Sequence, residues 1–285
     1  MNDVTADAQN DAPSDVAGVL RQARALGVDR LDAQLLLSAA LQKSRAWLIS
    51  HDDAGLTPDI ALRLAEQLAQ RAAGMPLAYL VGWTEFHGLR LTVSADTLIP
   101  RPDTETLVDW ALELLLEAPS NARVVDLGTG SGAIALAIKA GHPLASVQAV
   151  DLSAAALQVA QRNADALGLA VGFQQGDWWQ PLAGQQFDLI VSNPPYIAGA
   201  DPHLPALRHE PLSALTPGGD GLSALQTLIE GAPAHLHPGG WLLLEHGYDQ
   251  AQAVAAALQM RGFTELALRH DLGGQPRVSG ARWWG

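Results

Sequence analysis

The chain has 285 residues, of which 48% are hydrophobic, and a formal net charge of −13 at pH 7. This length suits one large domain together with a small one, and the acidity argues against a general affinity for nucleic acid, which depends on lysine and arginine. The absence of cysteine excludes disulfides, cysteine nucleophiles and thiolate metal sites.

The N-terminal stretch is acidic. Residues 1–15 contain Asp3, Asp7, Asp11 and Asp15 and no basic residue, which is unlike the positive first region of a signal peptide. We expect a disordered tail over residues 1–14. No apolar run approaches the ~18 residues that span a bilayer. We therefore expect a cytoplasmic protein without a membrane anchor.

The next segments differ in their periodicity. Apolar residues recur at helical spacing from Val16 to about Ala73, which predicts a small helical domain over residues 15–75. β-branched and aromatic residues then alternate around "HG", and several prolines follow. This pattern predicts a β-hairpin and a linker over residues 76–103.

Helical and strand patterns alternate from Thr104 to the C-terminus. The strands "ARVVDLG", "SVQAVDLS", "FDLIVS" and "GGWLLLE" are apolar throughout and are separated by helical segments. Such strands form a mostly parallel sheet covered on both faces. We predict a Rossmann-like, doubly wound α/β domain over residues 104–285, ending in two short β-like segments.

A glycine-rich loop follows the first strand of this domain. Gly128, Gly130 and Gly132 lie between a strand and a helix, where missing side chains let a ligand approach the backbone. Because Ala133 follows, the loop also fits the dinucleotide fingerprint, so it does not distinguish NAD from S-adenosylmethionine. Asp151 ends the next strand, where a carboxylate accepts the ribose hydroxyls of either ligand. An adenosine-containing cofactor is predicted.

Three nearby residues are further candidates, and two of them, Asp126 and Trp178, have two readings each. Asp126 either holds the glycine loop in place, by accepting hydrogen bonds from backbone N–H groups of the loop, or faces the ligand. Asp177 follows the third strand and can accept an exocyclic adenine amine. Trp178 is either a wall for the adenine ring or a core residue, whereas Trp179 is expected to be core.

The fourth strand ends in "SNPPYI". A planar nitrogen such as that of an amide is a poor nucleophile, but it carries two N–H donors. The side-chain carbonyl of Asn193 and the backbone carbonyl of Pro194 can each accept one of these N–H groups. Pro194 and Pro195 have no competing backbone donors, and Tyr196 can stack on the flat group. The nitrogen is then held facing an electrophilic methyl group without a strong base.

Four stretches carry a resemblance in combination: "YLVGWTEFHGLRLTVSADTLIPRPDTETLV", "DLGTGSGAIALA", "SNPPYI" and "HEPLSALTPGGDGLSAL". With them, the chain resembles the peptide chain release factor glutamine methyltransferases from about Ala17 to the C-terminus. The resemblance implies a class I methyltransferase domain with S-adenosylmethionine as cofactor. It also implies that the helical domain helps to hold the substrate, the glutamine in the Gly-Gly-Gln motif of class 1 release factors. The family usually has glutamate where this chain has Asp103, which leaves any role of that residue open.

Two sets of site residues follow from the motifs and the resemblance. The cofactor-binding set is Gly128, Thr129, Gly130, Ser131, Gly132, Asp151, Asp177, Trp178 and Asn193. The substrate-binding set is Asn193, Pro194, Pro195 and Tyr196, with Asn193 and Pro194 as catalytic residues. We expect a class 1 release factor as partner, no stable complex with nucleic acid, no membrane, no metal, and a monomer.

Other functions remain open. A nucleic-acid amino-methyltransferase meets the same chemical problem but would need a basic, aromatic-rich surface. An NAD-dependent oxidoreductase fits the glycine loop but does not explain "NPPY". A binding module without catalysis requires the Asn193 loop to lie elsewhere.

Several further residues have structural readings. Glu210 either orients a loop over the substrate or is solvated, and Arg101 is expected to pair with a carboxylate. Phe86 either lines the glutamine pocket or packs between the domains, and the packing role is favoured. The "LGGQP" stretch at residues 272–276 is expected to be a turn.

Overall fold

A computed structural model describes residues 13–285, so the predicted tail lies outside the described residues apart from Pro13 and Ser14. Pro13 is buried, and the carbonyl of Ser14 accepts the N–H of Leu56 at 2.8 Å. These two residues therefore belong to the helical unit that follows them and not to the tail.

The chain divides into two compact units after Gly82. The first unit packs its helices around a core that includes Val19, Leu36 and Leu64, all fully buried. Its helices are α1 (Val16–Ala25), α2 (Arg30–Leu41), α3 (Arg45–Ser50), α4 (Pro58–Ala72) and α5 (Leu77–Val81).

The helical unit extends beyond the predicted boundary at residue 75. Leu77, Leu80 and Val81, which the sequence pattern assigned to the hairpin segment, form α5 and pack against the helical core. Gly82 ends that helix in the left-handed conformation, with φ of 81°. The hairpin begins only at Trp83, so the prediction placed the boundary several residues too early.

The second unit contains the hairpin and the α/β domain. The hairpin consists of β1 (Trp83–Phe86) and β2 (Leu89–Thr92). The elements that follow are α6 (Glu105–Glu117), β3 (Arg123–Leu127), α7 (Ala133–Gly141), β4 (Ser146–Asp151), α8 (Ala154–Leu167), β5 (Gly172–Gln175), β6 (Phe187–Ser192), α9 (Leu212–Leu215), α10 (Ser223–Gly231), β7 (Leu236–Glu245), α11 (Ala251–Arg261), β8 (Thr264–His270) and β9 (Pro276–Trp283).

Seven strands form one sheet in the order β5-β4-β3-β6-β7-β9-β8. The first five are parallel, whereas β9 pairs antiparallel with both β7 and β8. The two C-terminal segments are longer than predicted, with seven and eight residues. The chain runs outward from β3 to β5 and returns to β6 beside β3. This reversal is where open α/β sheets bind ligands.

Successive side chains of a strand point to opposite faces of the sheet, so an apolar strand packs against helices on both faces. Val124 belongs to the cluster that includes α6 and α7, and the next residue, Val125, belongs to the cluster that includes α10 and α11. Leu189 and Ile190 on β6 divide in the same way. Within residues 13–285, no helix is long and apolar enough to cross a membrane.

Candidate active site

A cavity of about 510 Å³ opens at the carboxyl edge of the sheet. Its walls come from the ends of β3, β4, β5 and β6 and from two further segments of the second unit, a loop after β2 and the start of α9. The lining residues are Ala95, Asp96, Thr97, Leu98, Gly128, Gly130, Val150, Asp151, Leu152, Ser153, Ala156, Gly176, Asp177, Trp178, Asn193, Pro195, Pro211, Ser213 and Ala214. The volume suits a small organic cofactor.

The glycine loop forms one wall of the cavity. Gly128 and Gly130 line it, with φ of 74° and 57°, a conformation that favours glycine. The backbone N–H groups of Gly128 and Thr129 donate to the carbonyl of Val150 at 2.9 and 3.0 Å. Gly132 serves packing instead, because a Cβ there would lie 3.1 Å from that of Ala160.

Thr129, Ser131 and Gly132, predicted to contact the cofactor, do not line the cavity. The Thr129 hydroxyl donates to Asp126 Oδ2 at 2.6 Å, within the loop. The carbonyl of Ser131 accepts the amide of Asn163 at 2.9 Å. That amide also donates to the carbonyl of Thr92 on β2 at 3.0 Å. Asn163, which sequence reasoning missed, thus ties the loop to the hairpin.

The contacts of Asp126 favour its loop-holding reading. Its side chain is fully buried, and Oδ2 also accepts the N–H of Ala135 at 3.3 Å. Burial raises the pKa of Asp126 to about 7, and its bonds from Thr129 and Ala135 oppose the rise. The carboxyl lies beneath the loop and is not part of the cavity wall.

Asp151 and Asp177 lie where the sequence placed them, at the ends of β4 and β5 beside the cavity. Asp151 Oδ2 accepts the N–H of Gly130 and Oδ1 that of Ser153, each at 2.8 Å. Burial raises the pKa of Asp151, and these two bonds oppose the rise. Asp177 is exposed.

The two tryptophans have different surroundings. Trp178 lines the cavity, and its ring faces Gly128, where a Cβ would lie 3.2 Å from Cζ3. Its φ of 44° is unusual for a bulky residue, a kind of strain that clusters at ligand sites. Trp179 donates to the carbonyl of Thr227 at 3.1 Å and stacks on His235, so it packs as expected, although it is only half-buried.

Asn193 has a defined orientation at the end of β6. Its Nδ2 donates to Thr104 Oγ1 at 3.2 Å, which leaves Oδ1 as its acceptor. Asn193 and Pro195 line the cavity, whereas Pro194 is buried and Tyr196 lies behind them. The Tyr196 hydroxyl donates to Glu245 Oε1 at 3.3 Å, and burial raises the pKa of Tyr196. The structure thus brings Asn193 to the cavity that Asp151 and Trp178 line.

Sequence reasoning assigned no role to two lining segments, residues 95–98 and 211–214. They are joined by Glu210, whose side chain is almost completely buried and not solvated. Glu210 Oε2 accepts the N–H of Ile99 at 3.1 Å, and Oε1 pairs with Arg101. Arg101 therefore has the structural role that was expected. The residues that make these contacts lie in the stretches "IPRP" and "HEPLSAL". No local sequence pattern shows that the two stretches are in contact.

The remaining candidates are structural. Phe86 is buried in the core of the second unit. Residues 272–275 lie in the turn between β8 and β9, and Pro276 begins β9. Asp103 Oδ2 lies 3.6 Å from the Arg277 guanidinium, and its side chain is half exposed. No cluster suited to a metal ion occurs among residues 13–285.

The cavity fits S-adenosylmethionine better than a dinucleotide. Three aspartates, Asp96, Asp151 and Asp177, line it, and lysine, arginine and histidine are absent from its lining. Such a wall attracts a cationic ligand and repels a pyrophosphate. Asp151 can accept ribose hydroxyls, and the indole of Trp178 provides a flat apolar wall.

Comparisons with known proteins agree with this class. Residues 104–222 match the model of the methyltransferase small domain, and residues 14–82 match that of the PrmC N-terminal domain. A solved methyltransferase from Pyrococcus furiosus shares the fold, with a TM-score of 0.54 at 18% identity over 70% of this chain and 90% of its own. Fold and site thus define a class I methyltransferase that uses S-adenosylmethionine.

Two relatives identify the family within this class. The release factor glutamine methyltransferase of Xylella fastidiosa is 54% identical over 90% of this chain and 94% of its own length. That of Bordetella pertussis is 49% identical over 89% and 95%. The chain belongs to the release factor glutamine methyltransferase family.

Proposed function

We propose that this enzyme methylates the side-chain amide nitrogen of the glutamine in the Gly-Gly-Gln motif of class 1 release factors. The observation that carries the proposal is the orientation of Asn193. Its amide nitrogen is bonded to Thr104, so its carbonyl remains to accept an N–H from the substrate, at the wall of the cofactor cavity. The named activity of the relatives supports the choice of glutamine.

The proposed cofactor contacts are Gly128, Gly130, Asp151, Asp177, Trp178 and Asn193. When bound, S-adenosylmethionine supplies an electrophilic methyl group, which leaves the sulfonium sulfur as its bond to the amide nitrogen forms. Asp151 would hold the ribose hydroxyls, and Trp178 would cover the adenine ring. Thr129, Ser131 and Gly132 would shape the glycine loop without contacting the ligand.

The proposed substrate contacts are acceptors. The Asn193 side-chain carbonyl and the Pro194 backbone carbonyl would accept the two N–H groups of the glutamine, and Pro195 offers no donor that competes with them. Tyr196 would support the flat amide. The contribution of these residues is positioning and polarisation, and one proton leaves the methylated nitrogen to solvent.

The helical unit would help to hold the release factor, and the enzyme would act in the cytoplasm as a monomer. A nucleic-acid amine is the competing substrate, because it also presents a planar nitrogen with N–H donors. The net charge of −13 opposes that alternative.

Incubation with methyl-labelled S-adenosylmethionine tests the proposal. Separate reactions contain a class 1 release factor, its Gly-Gly-Gln→Gly-Gly-Ala variant, total RNA and DNA. We expect label on the intact release factor alone, and none with the Asn193→Ala enzyme. A Gln275→Ala enzyme should retain full activity, because Gln275 lies in the exposed turn between β8 and β9 and not in the cavity. Label on RNA or DNA would overturn the proposed substrate.

A further inference from the structure

A buried carboxyl group lies behind the Asn193 loop and has no part in the reaction as proposed. Glu245 is the last residue of β7 and is 1% exposed. Because Ser192 on β6 pairs with Leu244 on β7, the residues that follow them in the chain, Asn193 and Glu245, lie at the same level of the sheet. A carboxyl group at such depth is costly unless it has partners.

Two hydroxyls and one cation surround this carboxyl group. Tyr196 donates to Oε1 at 3.3 Å, whereas Oε2 is buried and accepts no hydrogen bond from residues 13–285. Burial raises the pKa of Glu245 to about 7, and the Thr104 hydroxyl and the Arg277 guanidinium oppose the rise. Asp103 also faces the group and raises its pKa.

Thr104 connects Glu245 with Asn193. The Thr104 oxygen accepts the Asn193 amide N–H at 3.2 Å. A hydroxyl that turns its proton toward Glu245 keeps its lone pairs for that N–H. Thr104 thus offers a route by which Glu245, which does not line the cavity, can act on the Asn193 carbonyl.

Tyr196 is held a second time by the residues that follow Glu245. Gln250 Nε2 donates to the Tyr196 carbonyl at 2.9 Å, and Gln250 Oε1 accepts the N–H of Gly247 at 2.9 Å. Residues 245–250 thus fix both the phenol and the backbone of Tyr196.

We propose that Glu245 is a positioning residue, which acts through Thr104 and Tyr196 to orient the Asn193 carbonyl and the Tyr196 ring toward the substrate amide. Its ionised form is the competent one, because a carboxylate can accept at both oxygens, whereas protonation turns one of them into a donor. The identity of the substrate rests on the proposed function, but the side-chain arrangement does not.

A double-mutant cycle tests this relay. Glu245→Gln keeps the volume but replaces one acceptor oxygen with a donor, and Tyr196→Phe removes only the hydroxyl. We expect Glu245→Gln to lower kcat about tenfold and to leave the Kd for S-adenosylmethionine within about twofold. The double variant should lose much less than the product of the two single losses, because both changes break one interaction.

The pH profile separates positioning from general destabilisation. With wild-type enzyme, kcat should rise as the pH passes through about 7, where Glu245 ionises. Glu245→Gln should abolish that limb, and Glu245→Asp should restore it in part. The control is Asp188→Asn at the start of β6, where the carboxylate accepts the N–H of Arg123 at 2.7 Å. It should leave the profile unchanged.

A readout independent of activity is the side-chain amide resonance of Asn193, identified by its loss in Asn193→Ala. It should shift in Glu245→Gln and stay in place in Asp188→Asn. Thr104→Val is the positive control, because it removes the acceptor of the Asn193 amide N–H directly. An unmoved resonance, or additive losses in the cycle, would overturn the positioning role. If wild-type enzyme labels only nucleic acid, the proposed function fails and the cycle is run on that substrate.

Discussion

Gly128 shows how one residue can serve both the backbone and the cavity. Its φ of 74° costs an alanine about 1–2 kcal/mol, and a Cβ would also lie 3.2 Å from the Trp178 ring. Gly128→Ala should therefore weaken S-adenosylmethionine binding about tenfold, because the ring that walls the cavity must move. Titration calorimetry gives the Kd.

Gly168 offers a matched control for this change. Its φ is 66°, and a Cβ there has no heavy atom within 4 Å. Gly168→Ala should lose similar stability in urea unfolding but keep the Kd of wild-type enzyme. Equal losses of affinity in both variants would show that backbone strain, and not the Trp178 contact, controls binding.

Asp126 makes stability depend on pH. Its pKa rises from 3.8 to about 7 on folding, so the native state keeps a proton that the unfolded chain has lost. This contribution is complete below about pH 4 and is lost as the pH rises through 7. The free energy of unfolding of wild-type protein, relative to that of Asp126→Asn, should therefore fall by roughly 2 kcal/mol between pH 5.5 and 8.

Glu113 provides the control for that measurement. Its hydrogen bond from Arg269 holds its pKa below the usual value, so the stability it contributes is lost only at lower pH. The difference between wild-type protein and Glu113→Gln should be the same at pH 5.5 and 8. A parallel change in both variants would mean that Asp126 is not the source.

At the scale of single residues, the sequence predicted the cavity residues that lie at or just after the ends of strands. Asp151, Asp177 and Asn193 line the cavity because parallel strands bring their carboxyl ends to one edge. The sequence did not separate the glycine-loop residues that line the cavity from those that only build the loop. Thr129 has the same motif position in either case, and only its bond to Asp126 decides.

Between elements, Glu210 joins two segments that are more than a hundred residues apart in the chain. Glu210→Ala should leave the buried N–H of Ile99 without a partner and destabilise the protein by about 1–3 kcal/mol. Because residues 95–98 and 211–214 both line the cavity, the Kd for S-adenosylmethionine should rise several-fold. Glu210→Gln should lose less, since its carbonyl can still accept that N–H.

The surface ion pair between Arg269 and Glu113 provides the control for the Glu210 variants. Its carboxylate is largely exposed, so Glu113→Ala should cost below about 1 kcal/mol and leave the Kd unchanged. If Glu210→Ala behaved in the same way, the two lining segments would be held by other contacts.

Elements were predicted well where periodicity was regular and poorly where tertiary packing decides. The alternation of strands and helices after Thr104 indicated the doubly wound sheet. α5 was missed, because a five-residue helix has no periodicity of its own and depends on packing by Leu77 and Leu80. β8 and β9 were expected to be short. β9 is longer because its residues from Val278 to Trp283 pair with residues Gly240 to Glu245 of β7.

The whole molecule carries a net charge of −13, and its cofactor cavity is lined by carboxylates. Binding to nucleic acid derives most of its strength from cations that displace counterions. A labelled single-stranded RNA should therefore show no change in fluorescence anisotropy with this protein at physiological salt. Excess RNA should likewise leave the rate of release factor methylation unchanged, because RNA would not occupy the surface that binds the release factor. Saturable RNA binding that weakens steeply with added salt would instead favour the nucleic-acid amine as substrate, and would do so without contradicting the acceptor role of Asn193.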